Sequence, residues 1–159
     1  MGKKGKGGPK HKVSPAATKE LRRNIEPASY LQQRPVWRFS SFDWESPWGN
    51  EACAGASDKI RAHIEEHLAQ LETMTWAEIL KASGGRSAGT NSHPIARDKF
   101  VRDAKKRLEQ LKVYADEIMS LRLDAGTRVY GIREGNCLQL LWFDPHHKDR
   151  NKAVYDFES

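Results

Sequence analysis

The chain is poor in cysteine. Cys53 and Cys137 are its only two, and neither has a partner at C-x-x-C spacing. That excludes a disulfide framework and suits a reducing cytoplasm. Long apolar runs are missing as well. No stretch approaches the ~20 residues that span a bilayer. The N-terminus lacks the apolar segment of a secretory leader, so a soluble cytoplasmic protein with no membrane partner is expected. Acidic residues are scarce at the start: residues 1–35 hold nine Lys or Arg and only Glu20 and Glu26 against them. That excess of seven is larger than the +6 of the whole chain, so the remainder is close to neutral. Large apolar residues are almost absent up to about Ala28, where Gly, Lys and Pro dominate. Residues 1–34 therefore read as a disordered basic tail that binds polyanions through phosphate charge, without sequence readout. Glu20 to Ile25 could turn helical on RNA. Residues 35–159 have the length of one domain with a modest core.

Within that domain, Val36 to Asp43 alternates Trp37 and Phe39 with Arg38 and Ser40, which predicts a first strand. Trp44 to Gly55 reads as a loop. Ser57 is a good N-cap for a helix to about Leu71, with Ile60, Ile64, Leu68 and Leu71 as its apolar stripe. Thr75-Trp76-Ala77-Glu78 has the form of a capping box and predicts a second, short helix ending before Gly84-Gly85. Gly84 to Ser92 reads as a flexible loop. Pro94 suits the first turn of a third helix, with Phe100, Val101, Ala104, Leu108, Leu111, Ala115 and Ile118 on its buried side. Two strands follow. Thr127 to Arg133 places Arg128, Tyr130 and Ile132 on one face and Val129 and Gly131 on the other. Glu134-Gly135-Asn136 closes a hairpin, and Leu138 to Phe143 is too apolar for anything but an interior strand. Asp144-Pro145 stops it, because Pro cannot donate to a ladder. Val154, Tyr155 and Phe157 suggest a final edge strand. The expected class is α+β: an antiparallel sheet with two or three helices packed on one face.

Chemistry is expected where the apolar strand ends. His146, His147 and Lys148 follow the Pro stop, with Arg128 and Arg133 on the hairpin partner. Cleavage of a phosphodiester needs these types: a cation for the phosphate, a base for the attacking hydroxyl and an acid for the leaving oxygen. Histidine performs either proton transfer near neutral pH. Tyr130 shares a face with Arg128 and could add a hydrogen bond. The bland alternative is a sheet edge protected by charge. Arg102, Lys105 and Lys106 on the third helix are candidate RNA contacts, although interleaved acids also suit a solvated face. Trp44 and Trp48, in a loop, are candidates for base stacking. His63-Ile64-Glu65-Glu66-His67 matches H-x-x-E-H, in which two histidines one helical turn apart grip a metal. His67 falls about 20° from Ile60 on a helical wheel, so a core-edge histidine is the plainer reading, and nothing in the sequence marks a third ligand. The glycine-rich run from Gly84 to Thr90 lacks the Gly-Lys-[Ser/Thr] of a phosphate loop.

Leu121-Arg122-Leu123, Arg128-Val129-Tyr130-Gly131, Leu138 to Asp144, His147-Lys148 and Tyr155 together resemble the RelE/ParE toxin superfamily. The order of elements, helices first and then a sheet, is similar too. The resemblance implies a RelE-like fold and a metal-independent endoribonuclease without cofactor. Such a toxin cleaves mRNA, often at the ribosome, and is neutralised by an antitoxin protein. Carried over, Arg128 would bind the scissile phosphate and His147 would be the acid or base, with His146 as its substitute. Lys148 would stabilise charge, Tyr155 would orient the substrate, and Glu134 would be a further candidate base. The alternative is a non-catalytic RNA- or protein-binding module of the same fold. The near-neutral domain and the long segment between first strand and last helix depart from the family's pattern.

Overall fold

The computed structural model describes residues 30–49, 57–81, 92–149 and 151–155. The basic tail up to residue 29 and the glycine-rich run within 82–91 lie outside the described residues. The elements in order are β1 (Val36–Arg38), α1 (Ser57–Leu68), α2 (Trp76–Leu80), β2 (His93–Ala96), α3 (Arg102–Gln110), β3 (Glu117–Arg122), β4 (Arg128–Glu134) and β5 (Cys137–Asp144). The class is α+β, and among the described residues five strands form one open sheet in the order β1-β5-β4-β3-β2.

Two features of that sheet correct the expectation. It is mixed and not purely antiparallel, because β1 runs parallel to β5, with Val36 opposite Cys137 and Arg38 opposite Gln139. Helices also cover both faces and not one. On the first face, Ile60, Ile64 and Leu68 of α1 and Trp76 and Ile79 of α2 pack against Met119, Leu121, Val129, Leu138, Leu140 and Phe143. On the second, Ala104 and Leu108 of α3 pack with Phe100 against Ile118, Tyr130, Leu141 and Trp142. Helices on both faces explain why β5 is apolar without alternation: each of its faces meets a core. A register shift lies at Tyr130/Gly131, where Tyr130 pairs with Trp142 but Gly131 with Leu140. Leu141 is the extra residue, so Leu141 and Trp142 both reach the second core while Leu140 and Phe143 reach the first.

Gly131 is required at this bulge. A Cβ there would lie 2.6 Å from the carbonyl oxygen of Gln139 and 2.8 Å from Cγ of Leu138. The neighbouring strand's backbone cannot yield as a side-chain tip can. Gly131→Ala is expected to cost about 2 kcal/mol, an overpacking penalty. A urea titration checks this; an unchanged midpoint would show that the strands can separate there at no cost.

The Thr75 cap is as the sequence predicts, and so is the α1 stripe as far as Leu68, where the helix ends; Leu71 reaches the core from a separate 3-10 turn, Leu71–Thr73. Ile60, Ile64 and Leu68 are buried, and the Thr75 hydroxyl accepts from the Glu78 amide at 3.3 Å. Gly135, at φ +60°, takes the first central position of the β4–β5 turn, where a left-handed backbone favours glycine. The Pro94 reading fails. Pro94 lies in edge strand β2, and the third helix begins only at Arg102 and ends at Gln110, leaving Ile118 in β3. Pro is tolerated on an edge strand, so it was no helix signal. The first strand is three residues long and does not reach Asp43. At the other end, Tyr155 makes a single bridge to Phe100. Tyr30 and Leu31 pack against the first core, so the packed chain extends upstream of the 34/35 boundary.

Candidate functional site

Strand direction decides which groups can meet. β4 begins at Arg128 where β5 ends at Asp144, and Arg122 of β3 pairs with Arg128. His93 starts β2 on the same side, opposite Ser120. The β3–β4 turn and the segment after β5 therefore share one end of the sheet. Asp144, fully buried, accepts from the amides of His146 at 2.8 Å and Val154 at 3.2 Å, which fixes the exit turn. The His147 amide donates to the Gly126 carbonyl at 3.1 Å and ties that turn to the β3–β4 loop. The His147 ring then stacks beside Tyr155, with centroids 5.4 Å apart.

The electrostatics of this end are unusual for a histidine. Burial, assisted by the charges of Arg128, His93 and Arg122, lowers the His147 imidazole to about 4. It is neutral at pH 7 and can accept a proton, not donate one as an imidazolium. Arg128 is only 7% exposed. One guanidinium nitrogen, Nη1, donates to the carbonyls of Asp124 at 2.7 Å and Thr127 at 2.9 Å. Burial raises the Tyr155 hydroxyl above its usual range, partly opposed by Arg128. Burial also holds the Asp144 carboxyl above the carboxylate range, against the amides of His146 and Val154.

Of the residues expected to act together, Arg128, His147 and Tyr155 do meet. Others do not. Arg133 lies at the opposite end of β4, about 17 Å away at the rise of a strand. There its guanidinium sits 3.6 Å over the Tyr30 ring and donates to the Gly135 carbonyl at 2.9 Å. Glu134 is exposed at that same far end, beside the hairpin turn. Tyr130 has no exposed surface; it packs between Phe100 and Tyr155 and cannot touch a substrate. His146 is exposed on the other side of the exit turn from His147, so it is no substitute for it. Lys148 is exposed beside them.

His146 instead lines an open groove of about 660 Å³ with Trp48, Lys106, Arg107 and Lys152. Of the three expected helix contacts only Lys106 reaches this groove; Arg102 is exposed and Lys105 half-buried elsewhere on α3. Trp48 leans on Trp142 with ring centroids 4.8 Å apart and leaves an edge in the groove. Trp44 packs on Phe42 at 4.2 Å. Behind the groove, the Asp43 carboxylate takes a two-pronged contact from Arg107, at 2.8 and 2.7 Å, and a third bond from Trp142 Nε1 at 3.0 Å. Nothing in the sequence pairs Asp43 with Arg107, 64 residues later. His93 carries no signal in the sequence, and Arg122 enters there only as part of a strand motif; the sheet register is what brings both to His147.

No family model, curated protein or solved structure matches the chain. Among the described residues, no helix is long and apolar enough to cross a membrane.

Proposed function

We propose that this is a RelE-like domain that binds RNA and cleaves it as a metal-independent endoribonuclease. The observation that carries the reading is the neutral, half-buried His147 held against Arg128 and Tyr155 at one end of the sheet. A neutral imidazole is the form a general base needs to take the proton of a 2′-hydroxyl. The 2′-oxygen then bonds to phosphorus as the bond to the 5′-oxygen breaks, and that leaving oxygen takes its proton from water. Arg128, fixed by backbone carbonyls, supplies positive field to the scissile phosphate, and the more open Arg122 beside it supplies the contact. Lys148 and the groove cations Lys106 and Lys152 guide the rest of the strand, and Trp48 offers a stacking edge. The basic tail adds sequence-independent affinity. The RelE-like reading also brings an antitoxin as the neutralising partner and mRNA, at the ribosome, as substrate.

A specific observation favours a second reading. Arg128 is nearly closed off and Tyr130 is core, which suits a non-catalytic RNA- or protein-binding module of the same fold. The deciding experiment induces the wild-type chain in a bacterium beside His147→Ala and Arg128→Ala and probes total RNA. Growth arrest with RNA cleavage, abolished by either substitution, is expected. Intact RNA with the wild type would leave the binding module. Arrest that survives both substitutions would place the chemistry elsewhere.

A further inference from the structure

The H-x-x-E-H motif in α1 finds in the fold the ligand that its sequence lacks. Asp124, in the β3–β4 turn, comes beside the half-buried His63 and His67 of α1. One donor atom each from His63, His67 and Asp124 lies within 4.8 Å of the others, the one such group among the described residues. The two imidazoles lie 4.3 Å apart between centroids, their planes tilted by 51°.

The surroundings prepare these groups as ligands. Nδ1 of His67 lies 2.9 Å from the His63 carbonyl oxygen. A carbonyl only accepts, so Nδ1 donates here and Nε2 is the nitrogen left to face a ligand. A backbone oxygen behind a histidine orients metal-binding imidazoles in this way. Asp124 Oδ1 accepts from the amides of Gly126 at 2.8 Å and Thr127 at 2.9 Å, so the carboxylate is held at a fixed angle. A carboxylate has about four lone-pair sites, and two amides leave room for a cation. The set offers two imidazole nitrogens and one carboxylate oxygen.

We propose that His63, His67 and Asp124 bind one divalent transition-metal ion of the zinc class. Two imidazoles and a carboxylate are borderline donors, which suit Zn²⁺ and its neighbours over Mg²⁺ or Ca²⁺. Ligand bonds of roughly 2.1 Å put tetrahedral donor atoms about 3.4 Å apart. The donor atoms lie within 4.8 Å of one another, so side-chain rotation and a small shift of the exposed turn have to close a gap of at most about 1.4 Å. With three protein ligands, the fourth position goes to solvent. The ion joins α1 to the β3–β4 turn. That turn also carries the Asp124 carbonyl that accepts from Arg128 and the Gly126 carbonyl that accepts from His147. The clasp therefore braces the proposed site from the opposite face of the sheet. Glu66, the motif's remaining acid, is exposed and outside the cluster. The assignment does not depend on whether the chain cleaves RNA.

The test is titration of metal-free full-length protein with Co²⁺, read by visible absorption, and with Zn²⁺, read by the thermal midpoint. Wild type is expected to take up one equivalent of Co²⁺ into a site of low coordination number, and to gain several degrees with Zn²⁺. His67→Ala loses both signals. Asp124→Asn, a surface change that preserves the turn's acceptor oxygen, weakens binding at least tenfold. Circular dichroism confirms that each variant folds; if His67→Ala does not, His63→Gln, half-exposed on α1, replaces it. The assignment is overturned if wild type takes up no metal. It is also overturned if the Co²⁺ spectrum is unchanged in both variants, since the ion then sits on other histidines.

Discussion

Purified protein carrying His147→Ala is expected to cleave a labelled RNA oligonucleotide about 10²- to 10⁴-fold more slowly than wild type, the usual contribution of a general base. The pH profile separates this from a fold defect. A base must be unprotonated to act. With His147 lowered to about 4, kcat/KM should rise up to that pH and then stay flat towards neutrality on its acidic limb. Bound RNA brings a phosphate against the imidazole, which opposes the charges of Arg128, Arg122 and His93. The corresponding inflection in kcat should therefore lie at higher pH. An acidic inflection of kcat/KM near 6.5, the ordinary histidine value, would remove His147 from the role of buried base.

The same residue has a stability signature that requires no activity. Unfolded His147 takes up a proton near 6.5, whereas the folded form resists until about 4. Between those values the unfolded state binds more protons, so stability declines as pH falls through that window. The imidazole is only half-buried, so solvent screening reduces the effect to about 1–2 kcal/mol by pH 4. His147→Ala should flatten the urea midpoint over pH 4–6.5. Asp43 acts below that window. Its burial alone would raise the carboxyl, but bonds from Arg107 and Trp142 hold it below its usual value. A depressed acid stabilises the fold above the unfolded value, and that contribution is lost as pH falls below roughly 4.

Arg107→Ala is the second large effect. The Asp43 side chain is 2% exposed, and Arg107 makes two of its bonds while Trp142 makes another. Removing Arg107 leaves a buried carboxylate with too few donors. Breaking such a pair costs about 3–5 kcal/mol, a large part of the stability of a domain this size. Arg107→Lys keeps the charge and loses the two-pronged geometry, so it should fall between. Chemical denaturation reads both. A loss under about 1 kcal/mol for the alanine variant would mean that the pair behaves as a solvent-screened surface bridge. The pair also joins the loop after β1 to α3 and β5. Its loss should therefore weaken RNA binding in the groove even where the protein remains folded.

How much of this was written locally differs by element. The α1 stripe and the Thr75 cap involve residues three or four apart, which a helix brings together unaided. The hairpin is as local, because Glu134-Gly135-Asn136 needs only a glycine at a left-handed position. The solid apolar run of β5 also gave away its interior place. Pro94 misled because two backbone states accept a proline: a helix's first turn and an edge strand. Only a partner strand distinguishes them, and β3 lies more than 20 residues away, with His93 opposite Ser120.

The candidate site divides in the same way. The sequence determined that His147 and Arg128 lie near strand ends, because Pro145 must stop β5 and the hairpin must pair it with β4. It did not determine which histidine turns towards Arg128, nor that Arg133 lies at the far end. Those follow from register, which no single strand encodes. That Tyr130 is core and not surface depended on α3 covering the second face, a tertiary fact. The most distant decisions are the Asp43–Arg107 pair and the meeting of Asp124 with the α1 histidines. Each joins side chains more than 50 residues apart. Local propensity carries no record of such contacts. They exist because burying two apolar faces of one sheet leaves α1, the β3–β4 turn and α3 no other place to pack.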